Sequence, residues 1–324
     1  MVNTKKDVMQ RRCVLVLKAC RLVAAFVVSA IVLANAAGAE PKLIEERSST
    51  YNNIYVYKDG PQMLMTFGHN KRFYTETIYD TTNELSLPVT YTRYSTVGLA
   101  YSSGLDNLLE VGFGGGRTAW YLHKHVPSLD ITAVELDPAV VELAQKYFGV
   151  RSEDKFKIEV ADGRNYMLKS SATWNIVMID AYRGPFVPFH LLTEEFYKLV
   201  KSRLKPGGVV VQNVEPSTMM FDSAVATIQR VFPNVDLYEA GGNVVVIAYD
   251  GARQTPAALL ARANALQKQH RFLYPLSELL AERRIVNRSV PGKVLSDDFA
   301  PVESLLAIEK HNRKLDDISE PPAK

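Results

Sequence analysis

A glycine cluster and three carboxylates, spread over residues 112–180, have the types and spacing to do chemistry. Gly112-Phe113-Gly114-Gly115-Gly116 lies between a short apolar run, Leu108-Leu109-Glu110-Val111, and a helix-like segment, Arg117 to His125. Glycines there permit positive φ and a close approach of backbone to a ligand. The helix start adds free N–H groups and a positive dipole end. Gly112, Gly114 and Gly116 are therefore candidate cofactor contacts. Glu135 ends the next strand, 23 residues after Gly112. An acid at that point accepts the two hydroxyls of a ribose. A glycine loop alone is also a tight turn, and Glu135 alone a solvated strand end. The two in this order predict a nucleoside site.

Asp162-Gly163 follows a third strand. Its carboxylate suits an adenine amino group, with a neighbouring N–H for a ring nitrogen, although Asp-Gly is also an ordinary turn. Asp180 ends a fourth strand. A carboxylate there can orient and deprotonate an amine nucleophile, or simply cap a loop. His190 reads as a packed or solvent-facing histidine rather than a base. No His, Cys and Asp spacing suits a metal, and no nucleophile elbow is present, so no metal is expected.

The elements around these residues alternate. Strands are expected at 108–111, 131–135, 156–160, 174–180, 209–212 and 243–248. Helices are expected at 117–125, 138–147, 193–204 and 221–231. Asp137 is the N-cap and Pro138 the N1 residue of the second helix. Such alternation implies parallel strands with crossover helices, a doubly wound α/β sheet of Rossmann type. Residues 43–100 read as β-rich, with a turn at Lys58-Asp59-Gly60-Pro61 between two strands. A helix over 88–103 would bury Tyr91, Tyr94, Val97 and Leu99. The tail from Pro256 reads as helical. The organisation expected is a leader at 1–39, a β-rich domain at 40–100, a nucleoside-binding domain at 101–250 and a helical extension at 251–324.

The chain has 324 residues, 47% hydrophobic and 23% charged. That excludes both a disordered chain and a multi-span membrane protein. The net charge of +3 is unevenly spread. Residues 1–39 hold Lys5, Lys6, Arg11, Arg12, Lys18 and Arg21 against Asp7, a local +5, so the remainder carries 3 − 5 = −2. That balance argues against a nucleic-acid partner. The apolar run from Leu22 and the end Ala37-Gly38-Ala39 describe a secretory signal cut before Glu40. The rival reading is an uncleaved anchor touching the membrane through residues 13–39. The domain is then exported or membrane-anchored, facing outward by the positive-inside rule. Both cysteines, Cys13 and Cys20, lie in this leader. The mature chain would therefore hold no disulfide.

These residues, in this order, resemble the spermidine synthase (polyamine aminopropyltransferase) family of the S-adenosylmethionine-dependent methyltransferase fold. The resemblance is carried by Leu109 to Gly116, Val134-Glu135-Leu136-Asp137-Pro138, Asp162-Gly163, Asp180 and Leu192 to Tyr197. Ser49-Thr50-Tyr51-Asn52-Asn53-Ile54 resembles the family's S-x-Y-Q-x-I strand, with Asn52 in the cofactor-contacting Gln position. Leu295 to Glu303 resembles a bacterial branch of synthase-like proteins. The resemblance implies S-adenosylmethionine or its decarboxylated form as co-substrate, a small-molecule amine acceptor, Asp180 as the key acid, and a homodimer. It places Tyr91, Thr92, Tyr182 and Arg183 at the acceptor.

Two departures stand out. The family's first loop reads G-G-G-D-G-G, and its Asp binds the donor's ammonium; Gly115 replaces it here. With Arg117 nearby, this suits the carboxylate of ordinary S-adenosylmethionine. The family's second Asp after Asp180 is replaced by Arg183, which would repel a diamine. Three readings therefore stand: an aminopropyltransferase, a methyltransferase, and an exported non-catalytic nucleoside-binding protein.

Overall fold

In the computed structural model, which describes residues 40–69, 72–183, 186–218, 220–286 and 290–298, the chain builds two sheets. The expected leader, residues 1–39, lies outside the described residues, as does the tail beyond 298. The smaller sheet has the order β1 (Lys42–Ser48), β2 (Asn53–Asp59), β3 (Gln62–His69) and β4 (Arg72–Asp80). The β2–β3 hairpin closes where expected, with Asp59 opposite Gln62 and Gly60 at φ +53°. Alternate residues Ile54, Val56, Met63, Met65 and Phe67 are buried, the period of two that a one-sided sheet requires.

One irregularity matters later. Met65 pairs with Thr77 but Thr66 pairs with Thr75, so Glu76 is an extra residue in β4. This bulge re-aims the side chains around it.

The larger sheet has the order β12-β10-β11-β9-β8-β5-β6-β7. β5 (Asn107–Val111), β6 (Asp130–Glu135), β7 (Phe156–Val160), β8 (Trp174–Ile179) and β9 (Leu204–Val214) are parallel. β10 (Asn234–Ala240), β11 (Asn243–Tyr249) and β12 (Arg283–Ile285) add antiparallel pairs. This is the expected Rossmann-like methyltransferase sheet, preceded by the small β-rich one. The chain leaves β5 in one direction to β6 and β7, then returns to β8 on its other side. That reversal opens a crevice at the carboxyl end of β5, where α/β sheets bind ligands.

Pleating assigns each strand residue to a face. Leu108, Ile131, Ala133, Ile176, Met178, Val209, Val211, Val245 and Ile247 pack in one core with the small sheet and with helix Arg117–His125. Leu109, Val134, Val177, Ile179, Val210 and Val246 pack in the other, against helices Glu194–Ser202 and Phe221–Val231.

Some elements differ from expectation. The helix expected over 88–103 is two short ones, Thr90–Ser95 and Gly98–Tyr101. The second rides close on β9: a Cβ at Gly98 would sit 2.4 Å from the Val211 side chain. The expected helix to Leu204 ends at Ser202, and β9 runs straight through Pro206-Gly207-Gly208. β10 was not anticipated, because Asp236 and Glu239 hide its alternation. Asp236 is fully buried and ion-paired to Arg253 and Arg283.

Near the end, a strap crosses two helices of the second core. The Leu295 carbonyl accepts from Glu194 N–H at 2.8 Å, and its N–H donates to Thr227 Oγ1 at 2.9 Å. Asp297 ion-pairs with Arg164. Among the described residues, no helix is long and apolar enough to cross a membrane.

Candidate active site

The same pleat arithmetic that builds the first core delivers the site. Continuing the Leu108, Ile131, Ile176, Val209 and Val245 face toward the strand ends gives Glu110, Glu135, Asp180, Asn213 and Asn243. β11 runs antiparallel, so its first residue, Asn243, joins the carboxyl ends of its parallel neighbours. The three acids, Glu110, Glu135 and Asp180, meet the small sheet across a cavity of about 370 Å³. Tyr51, Asn52, Phe67, Glu76 and Thr77 come from the small-sheet side; Glu110, Gly112, Glu135, Asp162 and Asp180 come from the other.

The glycine loop curls over the end of β5, with Gly112, Gly114 and Gly116 at φ +89°, +52° and +69°. A Cβ on Gly112 would lie 2.3 Å from the Asp180 carbonyl oxygen. Gly112 and Gly114 border the cavity. Gly116 does not. It is the left-handed N-cap of helix Arg117–His125, and the Phe113 ring fills the space a side chain would need.

Glu135 lies where expected, but it also organises the loop. Its Oε2 accepts from the N–H groups of Phe113 (3.0 Å) and Gly114 (3.3 Å), and its Oε1 from Asp137 N–H (3.0 Å). Burial raises its pKa above the ordinary value, against these stabilising bonds. The Gly115 N–H donates to Thr77 Oγ1 at 2.9 Å, which ties the loop to the small sheet.

Asp162 and Gly163 border the cavity. Asp162 Oδ1 caps the next helix through Asn165 N–H at 2.8 Å, and Oδ2 pairs with His190 Nε2 at 2.8 Å. The histidine lowers the Asp162 pKa, and it is this contact that the sequence does not reveal. Asn52 also borders the cavity, and its amide donates to Asp137 Oδ2 at 3.1 Å. Asp137 is an N-cap as expected, through Ala139 N–H at 3.0 Å.

Asp180 accepts from Asn213 Nδ2 at 2.9 Å, and Asn213 accepts from Asn243 Nδ2 at 2.9 Å. Tyr91 hydrogen-bonds its carboxylate as well. Burial raises the Asp180 pKa, in part offset by these two donors. Tyr91, Thr92, Tyr182 and Arg183 all border the cavity. Thr92 is turned to backbone, its hydroxyl donating to the Val89 carbonyl at 2.6 Å. Arg183 is exposed, and its N–H donates to the Phe186 carbonyl at 2.8 Å.

Arg117 corrects an expectation. Its terminal nitrogens donate to the carbonyls of Phe148 and Glu84, and its guanidinium stacks on Tyr79 at 4.4 Å. Only Nε lacks a partner. Burial lowers its pKa to about 10. It borders the cavity, but its terminal nitrogens bolt the helix to neighbouring loops, which leaves Nε as its one unpartnered donor.

Sequence reasoning overlooked Glu76, Glu110 and Asn213. Glu110 was readable: a carboxylate in a strand covered on both faces is out of place. Asn213 follows Gln212 at a carboxyl end, also a usable sign. Glu76 had none, because its aim depends on the bulge. Among the described residues, no group of His, Cys, Asp and Glu is arranged to hold a metal ion.

Sheet order, glycine loop and strand-end acids define the S-adenosylmethionine-dependent methyltransferase fold class. Within it, residues 94–241 match the family model of the Spermine/spermidine synthase domain. The polyamine aminopropyltransferase of Vibrio vulnificus (strain CMCP6) is 26% identical over 69% of this chain and 77% of its own length. A probable spermidine synthase from Corynebacterium glutamicum shares the fold, with a TM-score of 0.63 at 18% identity over 79% of this chain and 97% of the other. Human methyltransferase-like protein 13, solved in complex with SAH, is 27% identical with a TM-score of 0.52, over 56% of this chain and 92% of the other. The aminopropyltransferase relatives support an enzyme of this type.

Proposed function

We propose that the chain transfers an aminopropyl group from decarboxylated S-adenosylmethionine to a small amine, a polyamine-forming reaction. The observation that carries this reading is the acidic floor of the cavity. Glu76, Glu110, Glu135 and Asp180 face it, while the Arg117 charge is spent on carbonyls. A donor bearing a sulfonium and an ammonium, with an amine acceptor, supplies positive charge to these four acids; the arginines at the cavity are Arg117, held by carbonyls, and the exposed Arg183. A donor carboxylate would add to the repulsion.

The transfer is an in-line displacement. The amine nitrogen bonds to the carbon attached to sulfur, the C–S electron pair goes to sulfur, and methylthioadenosine leaves. The cavity supplies position. The Asp180 carboxylate takes the proton that the attacking amine must shed, and its raised pKa suits that task. Asn213 and Tyr91 hold it in place.

Methyl transfer is the second reading. It is favoured by Gly115, which leaves the loop without the family's carboxylate, and by the SAH-bound relative. The test is product analysis with putrescine and each donor. Spermidine and methylthioadenosine should form with the decarboxylated donor, and Asp180→Asn should lower the rate by roughly 10²–10⁴-fold. A methylated amine from ordinary S-adenosylmethionine, with no spermidine, overturns the proposal.

A further inference from the structure

The cavity holds two carboxylate oxygens that the protein leaves unserved. Glu76 Oε1 and Glu110 Oε2 are shielded from solvent and have no hydrogen-bond partner. Glu110 is 4% exposed, and both residues line the cavity. Neighbouring acids have assignments within the protein: Glu135 holds the loop, Asp162 holds a helix start and His190, and Asp180 is served by Asn213 and Tyr91. An unpaired buried carboxylate opposes folding, so an orphaned pair requires a reason.

Two local features put them there. The bulge in β4 adds Glu76 as an unpaired extra residue, so that consecutive residues, Glu76 and Thr77, both line the cavity. Simple alternation would have turned one of them away. Thr77 then takes the Gly115 N–H, at the loop position where the family's ammonium-binding Asp is missing. A Cβ on Gly115 would lie 2.4 Å from the Thr77 side chain, so an Asp could not be accommodated without moving β4. The small sheet has occupied the place of the lost carboxylate and brought its own carboxylate beside it.

We infer that Glu76, with Glu110 lining the same cavity from β5, binds the primary ammonium at the end of the donor's alkyl chain. The inference rests on the proposed nucleoside pocket but not on which group is transferred, since both donor forms carry an ammonium. It puts the ammonium-binding residue of this chain on the small sheet rather than in the glycine loop.

Titration calorimetry on the full chain tests it with two unreactive, uncharged-sulfur ligands. Adenosyl-3-thiopropylamine carries the ammonium; methylthioadenosine carries a methyl group instead. Wild type should prefer the amine. Glu76→Gln should weaken it by about 10- to 100-fold and leave methylthioadenosine within about twofold. Glu110→Gln should act in the same direction. The unchanged methylthioadenosine affinity shows that the variant pocket is folded. Equal loss of both ligands, or no loss of either in both variants, overturns the inference. The product analysis above judges the transferred group separately, so spermidine formation with an unaltered Glu76→Gln affinity would sink this inference alone.

Discussion

At the scale of single residues, the cavity trades stability for charge. Burial, then the nearby Asp180 and Glu135, raise the Glu76 and Glu110 pKa values well above 4.5. A raised carboxyl pKa means that the native state retains a proton after the unfolded chain has lost it. Stability therefore falls as pH rises from the unfolded value through the native one. Glu76→Gln removes that penalty. The unliganded variant should be more stable than wild type near neutral pH by about 1–3 kcal/mol, and the gain should vanish near pH 4. Urea unfolding at several pH values measures this; a variant less stable at neutral pH would show Glu76 to have a structural partner. Asp180, Glu135 and Asp162 were legible as strand-end acids because the rule that locates them is topological. Arg117 was misread because sequence order cannot show that backbone carbonyls would claim its guanidinium.

At the scale of elements, Asp137 joins three structures. One oxygen caps helix Pro138–Tyr147 through Ala139 N–H, and the other accepts from Ser49 Oγ and Asn52 Nδ2. It is fully buried, so losing it strands donors from the helix and from the loop before β2. Asp137→Ala should cost about 2–4 kcal/mol, more than a cap alone. It should also weaken nucleoside binding, because Asn52, which borders the cavity, loses the carboxylate that holds its amide. Calorimetry and urea melts check both; a loss below about 1 kcal/mol would reduce Asp137 to an ordinary cap. The cap itself was readable from Asp137-Pro138. Its long-range partners were not, since nothing local pairs residues 49 and 52 with 137. The same limit explains β10: its buried Asp236 is matched by arginines 17 and 47 residues away.

At the scale of the whole molecule, export is a proposal from the leader alone. Cutting before Glu40 would leave a cysteine-free chain of charge −2, as counted above. N-terminal sequencing of protein recovered from the cell envelope should begin at Glu40; an intact Met1 terminus in that fraction would favour the anchor. Export would separate the domain from sulfonium nucleosides, which are made in the cytoplasm. The assays of transfer and of location therefore constrain each other.

The acidic floor also has a practical side. A cavity with two carboxyl oxygens that the protein leaves without partners attracts small ammonium ions from the solution around it. Tris, ammonium sulfate and free polyamines left from expression would compete for the donor's place and slow the measured reaction. Assays in phosphate or another amine-free buffer should report the enzyme's true affinity, and a preparation that looks inactive in Tris should first be dialysed before it is judged inert.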